Sequence, residues 1–138
     1  MALSLNMTQN YPNLIAKHIL IVDDDARNSF ALSSYLEQLD IVLHMASSGF
    51  EALDILAAGG PADLVLMDMM MPDMDGYETI RRIRLNALWH KLPVIAVTAQ
   101  AMKGDREKCL AAGASGYLSK PLHMQELLAL MDDLLKSE

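Results

Sequence analysis

Short apolar runs in this chain end repeatedly at a side chain that can take part in chemistry. A short apolar run bounded by turn-forming residues is typical of a strand that is buried on both faces. The carboxyl ends of parallel strands meet at one edge of a sheet, where such folds bind their ligands. We therefore expect three carboxylates, one hydroxyl and one ammonium group to lie together at that edge. They belong to Asp23, Asp24, Asp68, Thr98 and Lys120.

The segment from Leu64 to Gly76, LVLMDMMMPDMDG, is the most informative part of the sequence. Four apolar residues lead directly into Asp68, and proline, aspartate and glycine then supply the residues of a turn. Asp68 is therefore predicted to stand at the carboxyl end of a buried strand. It is the carboxylate around which the other polar residues are arranged.

Three carboxylates within about 5 Å of one another would repel by roughly 3 kcal/mol per pair at an effective dielectric constant near 20. Lys120 can offset part of this repulsion, and a hard divalent cation can offset more. An all-oxygen site with few protein ligands suits Mg²⁺. A carboxylate beside Mg²⁺, a lysine and a hydroxyl matches the needs of phosphoryl transfer, in which the carboxylate attacks in line and Thr98 donates to a phosphoryl oxygen.

The elements that must position these residues form five successive strand–helix units. Such units with short connections require a parallel sheet with helices on both faces. Strands are predicted at residues 19–22, 41–43, 64–67, 94–97 and 116–119, and helices at 26–39, 103–112 and 123–136, with two more opened by Ser48–Glu51 and Asp75–Glu78. The predicted inward-facing helix residues are Leu32, Tyr35, Leu36, Leu39, Leu53, Leu56, Ala57, Ile80, Ile83, Ala87, Leu127, Leu130, Met131 and Leu134.

Composition excludes several classes of protein. The chain has 138 residues, of which 52% are hydrophobic and 21% charged, which predicts one globular domain. A net charge of −7 without basic runs argues against binding nucleic acid. The single cysteine excludes an intramolecular disulfide, and no apolar segment approaches the ~20 residues that span a membrane. No signal peptide is evident at the N-terminus, so a cytoplasmic location is expected.

These motifs together resemble the receiver domain of two-component response regulators. The resemblance rests on Asp23-Asp24, Asp68, Thr98 and Lys120-Pro121, and it extends from about residue 17 to residue 136. Residues 92–121 are most similar to receivers attached to hybrid histidine kinases. We therefore expect a mobile N-terminal arm over residues 1–16, with Leu14 and Ile15 packed on the domain edge, and a receiver domain over residues 17–138.

The resemblance implies a flavodoxin-like (βα)5 fold, a three-layer sandwich whose five-stranded parallel sheet has the order 2-1-3-4-5. It implies that Asp68 accepts a phosphoryl group from a phosphohistidine on a histidine kinase or a histidine phosphotransfer protein. Mg²⁺ would be bound by Asp24, Asp68 and the backbone carbonyl of Met70, with Asp23 acting mostly through water. Lys120 would pair with the phosphoryl group.

The resemblance also implies a signalling switch rather than an enzyme, with slow self-dephosphorylation. Lys120 would precede a cis bond to Pro121, and Thr98 and Tyr117 would form the switch pair that changes the surface offered to a downstream protein. Tyr117 could instead simply cover the edge of the sheet. Met70 is expected to affect the phosphoryl lifetime, with Gln100 as an alternative group that orients water.

Other interpretations stay open at this point. The protein could be a free-standing regulator or the receiver of a hybrid kinase. A metal-dependent phosphatase would usually want a second acid two residues after its nucleophile, where this chain has Met70. A flavodoxin-like cofactor binder would want a phosphate-binding loop where this chain has three acids. Phe30, on the far side of its helix, is either an ordinary exposed aromatic or a contact for the phosphodonor. The scattered histidines suggest no role.

Overall fold

The computed structural model describes residues 10–99 and 102–136, which form one five-stranded parallel sheet covered by helices on both faces. The strand order is β2-β1-β3-β4-β5, so the predicted fold class is confirmed. The strands are β1 His18–Val22, β2 Val42–Ala46, β3 Leu64–Asp68, β4 Val94–Thr98 and β5 Gly116–Ser119. The helices are α1 Ala26–Leu36, α2 Gly49–Ala57, α3 Gly76–Leu85, α4 Asp105–Ala112 and α5 Met124–Leu134.

Two hydrophobic layers hold the sheet because successive strand residues point to opposite faces. In β1, Leu20 and Val22 face the layer built with α2, α3 and α4, whereas Ile19 and Ile21 face the layer built with α1 and α5. Every residue of β3 and β4 is buried. Burial of one such aliphatic side chain contributes about 1.5–3 kcal/mol, so these two fully buried strands contribute strongly to the stability of the fold.

The predicted helix starts are confirmed where a side chain caps the helix. Ser48 Oγ accepts a hydrogen bond from the Glu51 N–H at 3.0 Å, and Asp75 Oδ1 accepts one from the Glu78 N–H at 2.9 Å. Asp25 caps α1 by accepting from the Arg27 N–H at 2.9 Å. The caps of α1 and α3 fix where these two helices begin after the strands that carry the acidic residues.

Several predicted element boundaries are wrong. The second strand covers Val42–Ala46 rather than 41–43, because the polar His44 and the exposed Met45 lie within an edge strand and hide its pattern. The first helix ends at Leu36 rather than at residue 39. Leu39 is buried nonetheless, since its N–H bonds to the Leu36 carbonyl at 2.9 Å in a tight turn that folds it back.

Two predicted core residues are exposed. Ala57 lies on the outer side of α2, where the buried residues are Gly49, Ala52 and Leu56. Ala87 lies beyond α3, because the backbone turns extended at Asn86, directly after the last residue of that helix.

The ends of the last two helices also differ from the prediction. α4 begins at Asp105 rather than at residue 103, since Gly104 adopts a left-handed conformation with φ of 85°. α5 covers Met124–Leu134 rather than 123–136, and it buries Leu128 as well as Leu127 and Met131.

The beginning of the described chain is attached to the domain. A 3₁₀ turn at Pro12–Leu14 buries Leu14, and the Asn13 N–H bonds to Asp132 Oδ1 at 2.8 Å. Ile15 is 45% exposed, so only one of these two apolar residues packs as expected. Residues 1–9, most of the predicted arm, lie outside the described residues. Within the described ranges, no helix combines the length and the apolar character that crossing a membrane requires.

Candidate functional site

Three carboxylates converge where two neighbouring strands end. Val22 and Met67 are register partners in β1 and β3, so Asp23 and Asp68 emerge side by side and Asp24 follows. One carboxylate oxygen from each of the three acids lies within 4.8 Å of the others. At an effective dielectric constant of about 20, charges at that separation repel by about 3 kcal/mol per pair. The sequence therefore folds into a local excess of negative charge.

Asp68 carries most of the electrostatic consequence. Its side chain is buried, with 7% exposed, and it follows four apolar strand residues that are all buried. Burial and the charge of Asp23 outweigh the Met70 N–H donor and Lys120, and they raise the pKa of Asp68 from 3.8 to about 6. The Met70 N–H donates to Asp68 Oδ1 at 3.1 Å. The ionised form of Asp68 is therefore destabilised in the folded protein, and a bound cation would relieve this destabilisation.

The structure brings Lys120 to the same cluster. Its Nζ lies 3.6 Å from Asp23 Oδ2, and its backbone N–H donates to the Thr98 carbonyl at 2.7 Å. The expected cis bond between Lys120 and Pro121 is confirmed. Thr98 is buried and follows Val97, the register partner of Asp68. The ends of β1, β3, β4 and β5 thus bring together the five residues singled out from the sequence.

A close approach of backbone fixes the loop after Asp68. A Cβ added at Gly76 would lie 2.7 Å from Met69 Cα and 2.8 Å from the Asp68 carbonyl oxygen, so only glycine fits there. The loop returns to this point through Asp73, whose φ is 67°. The first turn of α3 therefore packs directly against the backbone that carries Asp68.

A cavity of about 510 Å³ opens beside the acids. Asp23, Asp68 and Lys120 form its polar end. Its apolar wall comes from α1, from Pro121 and the residues that follow it, and from the strand ends. The wall residues from α1 include Ala31 and Leu32. The cavity was not predicted from the sequence, because Leu32 was assigned to the core and the pattern does not show that α1 leaves space beside the strand ends.

The donor set fits a magnesium ion. All candidate ligand atoms are carboxylate oxygens, which Mg²⁺ prefers, and Asp24 is exposed so that water can complete the coordination. Mutual repulsion of the acids adds a reason for a divalent cation to bind. Met70, whose backbone carbonyl is the fourth expected ligand, lies two residues after Asp68, and its side chain is 54% exposed.

Tyr117 takes part in a second polar cluster that the sequence did not reveal. The Tyr117 hydroxyl donates to Asp105 Oδ2 at 3.1 Å, and the Tyr77 hydroxyl donates to Asp105 Oδ1 at 2.8 Å. Burial and this carboxylate raise the pKa of both tyrosines. An aspartate in the first turn of a helix is ordinary, so no pattern in the sequence singled out Asp105.

Three further expectations have different outcomes. Phe30 is 72% exposed on α1, as its position opposite the core face implied. His18 and His44, to which the sequence gave no role, are hydrogen-bonded between their ring nitrogens at 2.9 Å across neighbouring strands. Gln100 lies outside the described residues.

Comparison with known proteins gives one family. The response regulator receiver domain matches residues 19–132. Signal transduction histidine-protein kinase BarA of Escherichia coli (strain K12) is 39% identical over 117 residues, which are 85% of this chain and 13% of that protein. Response regulator MprA of Mycobacterium sp. (strain KMS) is 40% identical over 118 residues, which are 86% of this chain and 50% of that protein. The chain thus spans half or less of these two relatives.

One solved structure is informative about the metal site of a similar protein. The receiver domain of sensor histidine kinase PA1611 from Pseudomonas aeruginosa PAO1 is 34% identical, with a TM-score of 0.78 over 88% of this chain and 99% of that one. That crystal structure has a magnesium ion coordinated in its active-site cleft. The chain belongs to the response regulator receiver domain family, the phosphoryl-accepting signalling domains of two-component systems.

Proposed function

We propose that Asp68 is the phosphoacceptor of this receiver and that Asp23, Asp24, Thr98 and Lys120 assist it. The observation that carries this proposal is the convergence of three carboxylates within 4.8 Å, with the Lys120 ammonium 3.6 Å from one of them. Asp68 is the least exposed of the three acids, ends the fully buried strand β3 and lines the cavity, so we assign to it the attack on a phosphoryl group that enters the cavity.

The transfer itself needs little covalent chemistry from the protein. An Asp68 carboxylate oxygen attacks phosphorus in line with the P–N bond of a phosphohistidine donor, a P–O bond forms, and the imidazole leaves with the bonding electron pair. With a pKa of about 6, Asp68 is mostly ionised at pH 7.5 and ready to attack. Its Met70 N–H partner holds one carboxylate oxygen, which orients the side chain.

The neighbouring residues would then stabilise the transferred charge. Asp23, Asp24, Asp68 and the backbone carbonyl of Met70 would hold Mg²⁺, which supplies positive charge for the phosphoryl oxygens. The Lys120 ammonium already lies 3.6 Å from Asp23, and on phosphorylation it would leave Asp23 and contact a phosphoryl oxygen instead. Thr98 follows the register partner of Asp68 and would donate its hydroxyl.

The output would be a change of surface. When Thr98 turns toward a phosphoryl group, Tyr117 on the neighbouring strand follows, and the surface of α4, β5 and α5 changes shape. Slow hydrolysis of the aspartyl phosphate would reset the domain. This makes the protein a signalling switch whose only catalysis acts on itself.

The partners follow from the same chemistry. The donor is a histidine kinase or a histidine phosphotransfer protein, and a downstream protein reads the altered surface. Phe30, exposed on the helix that lines the cavity, is the contact that we assign to the donor. The domain acts either as a free-standing regulator or within a hybrid kinase. A cytoplasmic location is part of the proposal and is tested by cell fractionation.

Acetyl phosphate with Mg²⁺ tests the proposal without the natural donor. The wild-type protein is expected to gain the mass of one phosphoryl group, and Asp68→Asn is expected to gain none. Asp73→Asn is the matched control, since Asp73 is an exposed aspartate five positions along whose left-handed backbone asparagine also adopts. Equal phosphorylation of the wild type and Asp68→Asn would overturn the proposal, as would loss in both variants.

A further inference from the structure

We propose that Asp105 is a positioning residue whose carboxylate holds Tyr117 in the unphosphorylated protein. The strength of this contact sets the free energy that phosphorylation must supply to move Tyr117. The inference rests on the proposed function, because it concerns the residue that the switch is expected to move. It assigns a role to a carboxylate outside the acidic cluster.

Both oxygens of the Asp105 carboxylate are used by tyrosine hydroxyls. Tyr117 donates to Oδ2 at 3.1 Å and Tyr77 donates to Oδ1 at 2.8 Å. Hydrogen bonds to a charged acceptor are stronger than those between neutral groups. The Tyr77 distance is typical of an O–H···O bond, whereas the Tyr117 bond is longer and therefore the weaker of the two, so Tyr117 is the partner that can be released. The carboxylate therefore joins β5, α3 and the first turn of α4 at one point.

Further contacts keep this carboxylate in place. The Lys108 ammonium lies 4.4 Å from the centre of the Tyr77 ring, and the Cys109 thiol lies 3.9 Å from the Tyr77 hydroxyl. Cys109 is fully buried and belongs to the core layer shared with Tyr77. Tyr77 is therefore fixed by packing, and through it Asp105 is fixed even though α4 is the shortest of the five helices.

Movement of Tyr117 must disturb this arrangement. Tyr117 is the register partner of Ala96 in β4, two residues before Thr98, whereas Asp105 stands at the start of the helix that follows that strand. A tyrosine that turns toward Thr98 must give up the Asp105 carboxylate or pull the first turn of α4 with it. The second path is opposed by Tyr77, which holds the other carboxylate oxygen at 2.8 Å. The bond to Tyr117 is therefore a stabilising contact that only the unphosphorylated state keeps.

The consequence is a thermodynamic linkage between Asp105 and the phosphorylation site. When only a fraction of the protein is in the conformation that binds a ligand, the apparent affinity for that ligand is reduced by that fraction. Removal of the Asp105 carboxylate enlarges this fraction. For one hydrogen bond to a charged acceptor at a half-buried position, the expected gain in apparent affinity is about fivefold.

The experiment uses the beryllium trifluoride anion, which imitates a phosphoryl group on a carboxylate, in the presence of Mg²⁺. The full chain is labelled with 3-fluorotyrosine, and ¹⁹F resonances of its four tyrosines are assigned by single Tyr→Phe variants. Asp105→Ala is expected to bind the anion about fivefold more tightly than the wild type. Its unliganded Tyr117 resonance is expected to move toward the anion-bound position.

A double-mutant cycle shows whether Asp105 acts through the Tyr117 hydroxyl. In the Tyr117→Phe background, Asp105→Ala should no longer change the affinity for the anion. Glu107→Ala is the matched control, since it removes a carboxylate from the same helix turn that has no hydrogen bond to Tyr77 or Tyr117 among the described residues. Asp105→Asn serves as a second variant that preserves the helix start, with a smaller change in the same direction.

The possible failures are distinguishable. Absence of anion binding by the wild type would refute the proposed function and this inference with it. Normal binding by the wild type, with unchanged affinity and an unchanged Tyr117 resonance in Asp105→Ala and Asp105→Asn, would overturn the inference alone. An equal gain in the Tyr117→Phe background or in Glu107→Ala would also overturn it.

Discussion

Asp68 and Asp105 are two aspartates of the same domain whose surroundings are opposite. Asp68 is buried beside two further carboxylates and accepts one backbone N–H, and its pKa is raised to about 6. Asp105 stands at the start of a helix, and hydroxyl groups occupy both of its oxygens. One carboxylate is short of positive partners, and the other has the donors it needs.

The difference indicates what each carboxylate is for. A buried acid that is repelled by its neighbours costs folding free energy, and that cost is returned when a cation or a reaction removes the repulsion. An acid with satisfied oxygens lowers the free energy of one arrangement of its partners. The first environment suits chemistry, and the second suits holding a conformation. Substitutions in each region separate these two roles.

Loss of the Lys120 ammonium should produce the largest change. Lys120→Met should slow phosphorylation by acetyl phosphate about 100-fold, the usual effect of removing one preorganised charge from a reacting centre. Lys103→Met, an exposed lysine near the start of α4, should leave the rate unchanged. The rates are followed by intact-protein mass spectrometry. If the two variants were equally fast, Lys120 would have no special role at the acidic edge.

The stability of the metal-free protein should depend on pH through Asp68. With a folded pKa of about 6 against 3.8 unfolded, native Asp68 holds its proton more tightly, so the wild type loses stability as pH rises from about 4 to about 6. In metal-free buffer at pH 8, Asp68→Asn should therefore be more stable than the wild type by about 1 to 3 kcal/mol, a gain that disappears near pH 4.

Asp105→Asn should be less stable than the wild type at pH 8, which is the opposite of the result expected for Asp68→Asn. It weakens two tyrosine bonds, and the expected loss is about 1 kcal/mol. Urea unfolding of both variants in EDTA measures the two differences side by side. A destabilised Asp68→Asn at pH 8 would contradict the view that Asp68 is held at a cost.

A smaller effect is expected at the cavity rim. Phe30→Ala should slow transfer from a phosphorylated histidine phosphotransfer domain about fivefold, as loss of one exposed aromatic contact at an interface does. Transfer from acetyl phosphate should not change, because no protein surface is involved. Leu88→Ala, which removes an 86% exposed side chain at another place on the surface, is the control. Equal rates for Phe30→Ala and the wild type with the protein donor would remove Phe30 from the docking surface.

The smallest expected effect concerns the lifetime of the phosphoryl group. A thioether at Met70 cannot orient an attacking water, whereas an amide can. Met70→Asn should shorten the lifetime about threefold, well below full general acid–base catalysis because the amide only positions water. Met102→Asn, which replaces another exposed methionine, should leave decay unchanged. Decay is followed as loss of phosphorylated mass after removal of acetyl phosphate, and an unchanged rate in Met70→Asn would refute the assignment.

The acidic edge was predictable because its signal is local. Each of its residues ends or follows an apolar run, and parallel strands that end together bring those residues to one edge. The Asp105 cluster was not predictable, since its three side chains come from α3, α4 and β5 and meet only through packing. Ala57 and Ala87 were misassigned to the core because apolar residues continue at helical spacing in the sequence. In the structure, Ala57 lies on the outer side of α2 and Ala87 lies beyond the end of α3.

The central claim is that phosphorylation falls on Asp68 alone, and chemical trapping tests it most directly. The protein is treated with acetyl phosphate and Mg²⁺, reduced with borohydride so that an aspartyl phosphate becomes homoserine, digested, and sequenced by tandem mass spectrometry. The account predicts homoserine at position 68 and unchanged aspartate at positions 23, 24 and 105. Homoserine at any of those three positions, with Asp68 intact, would contradict it.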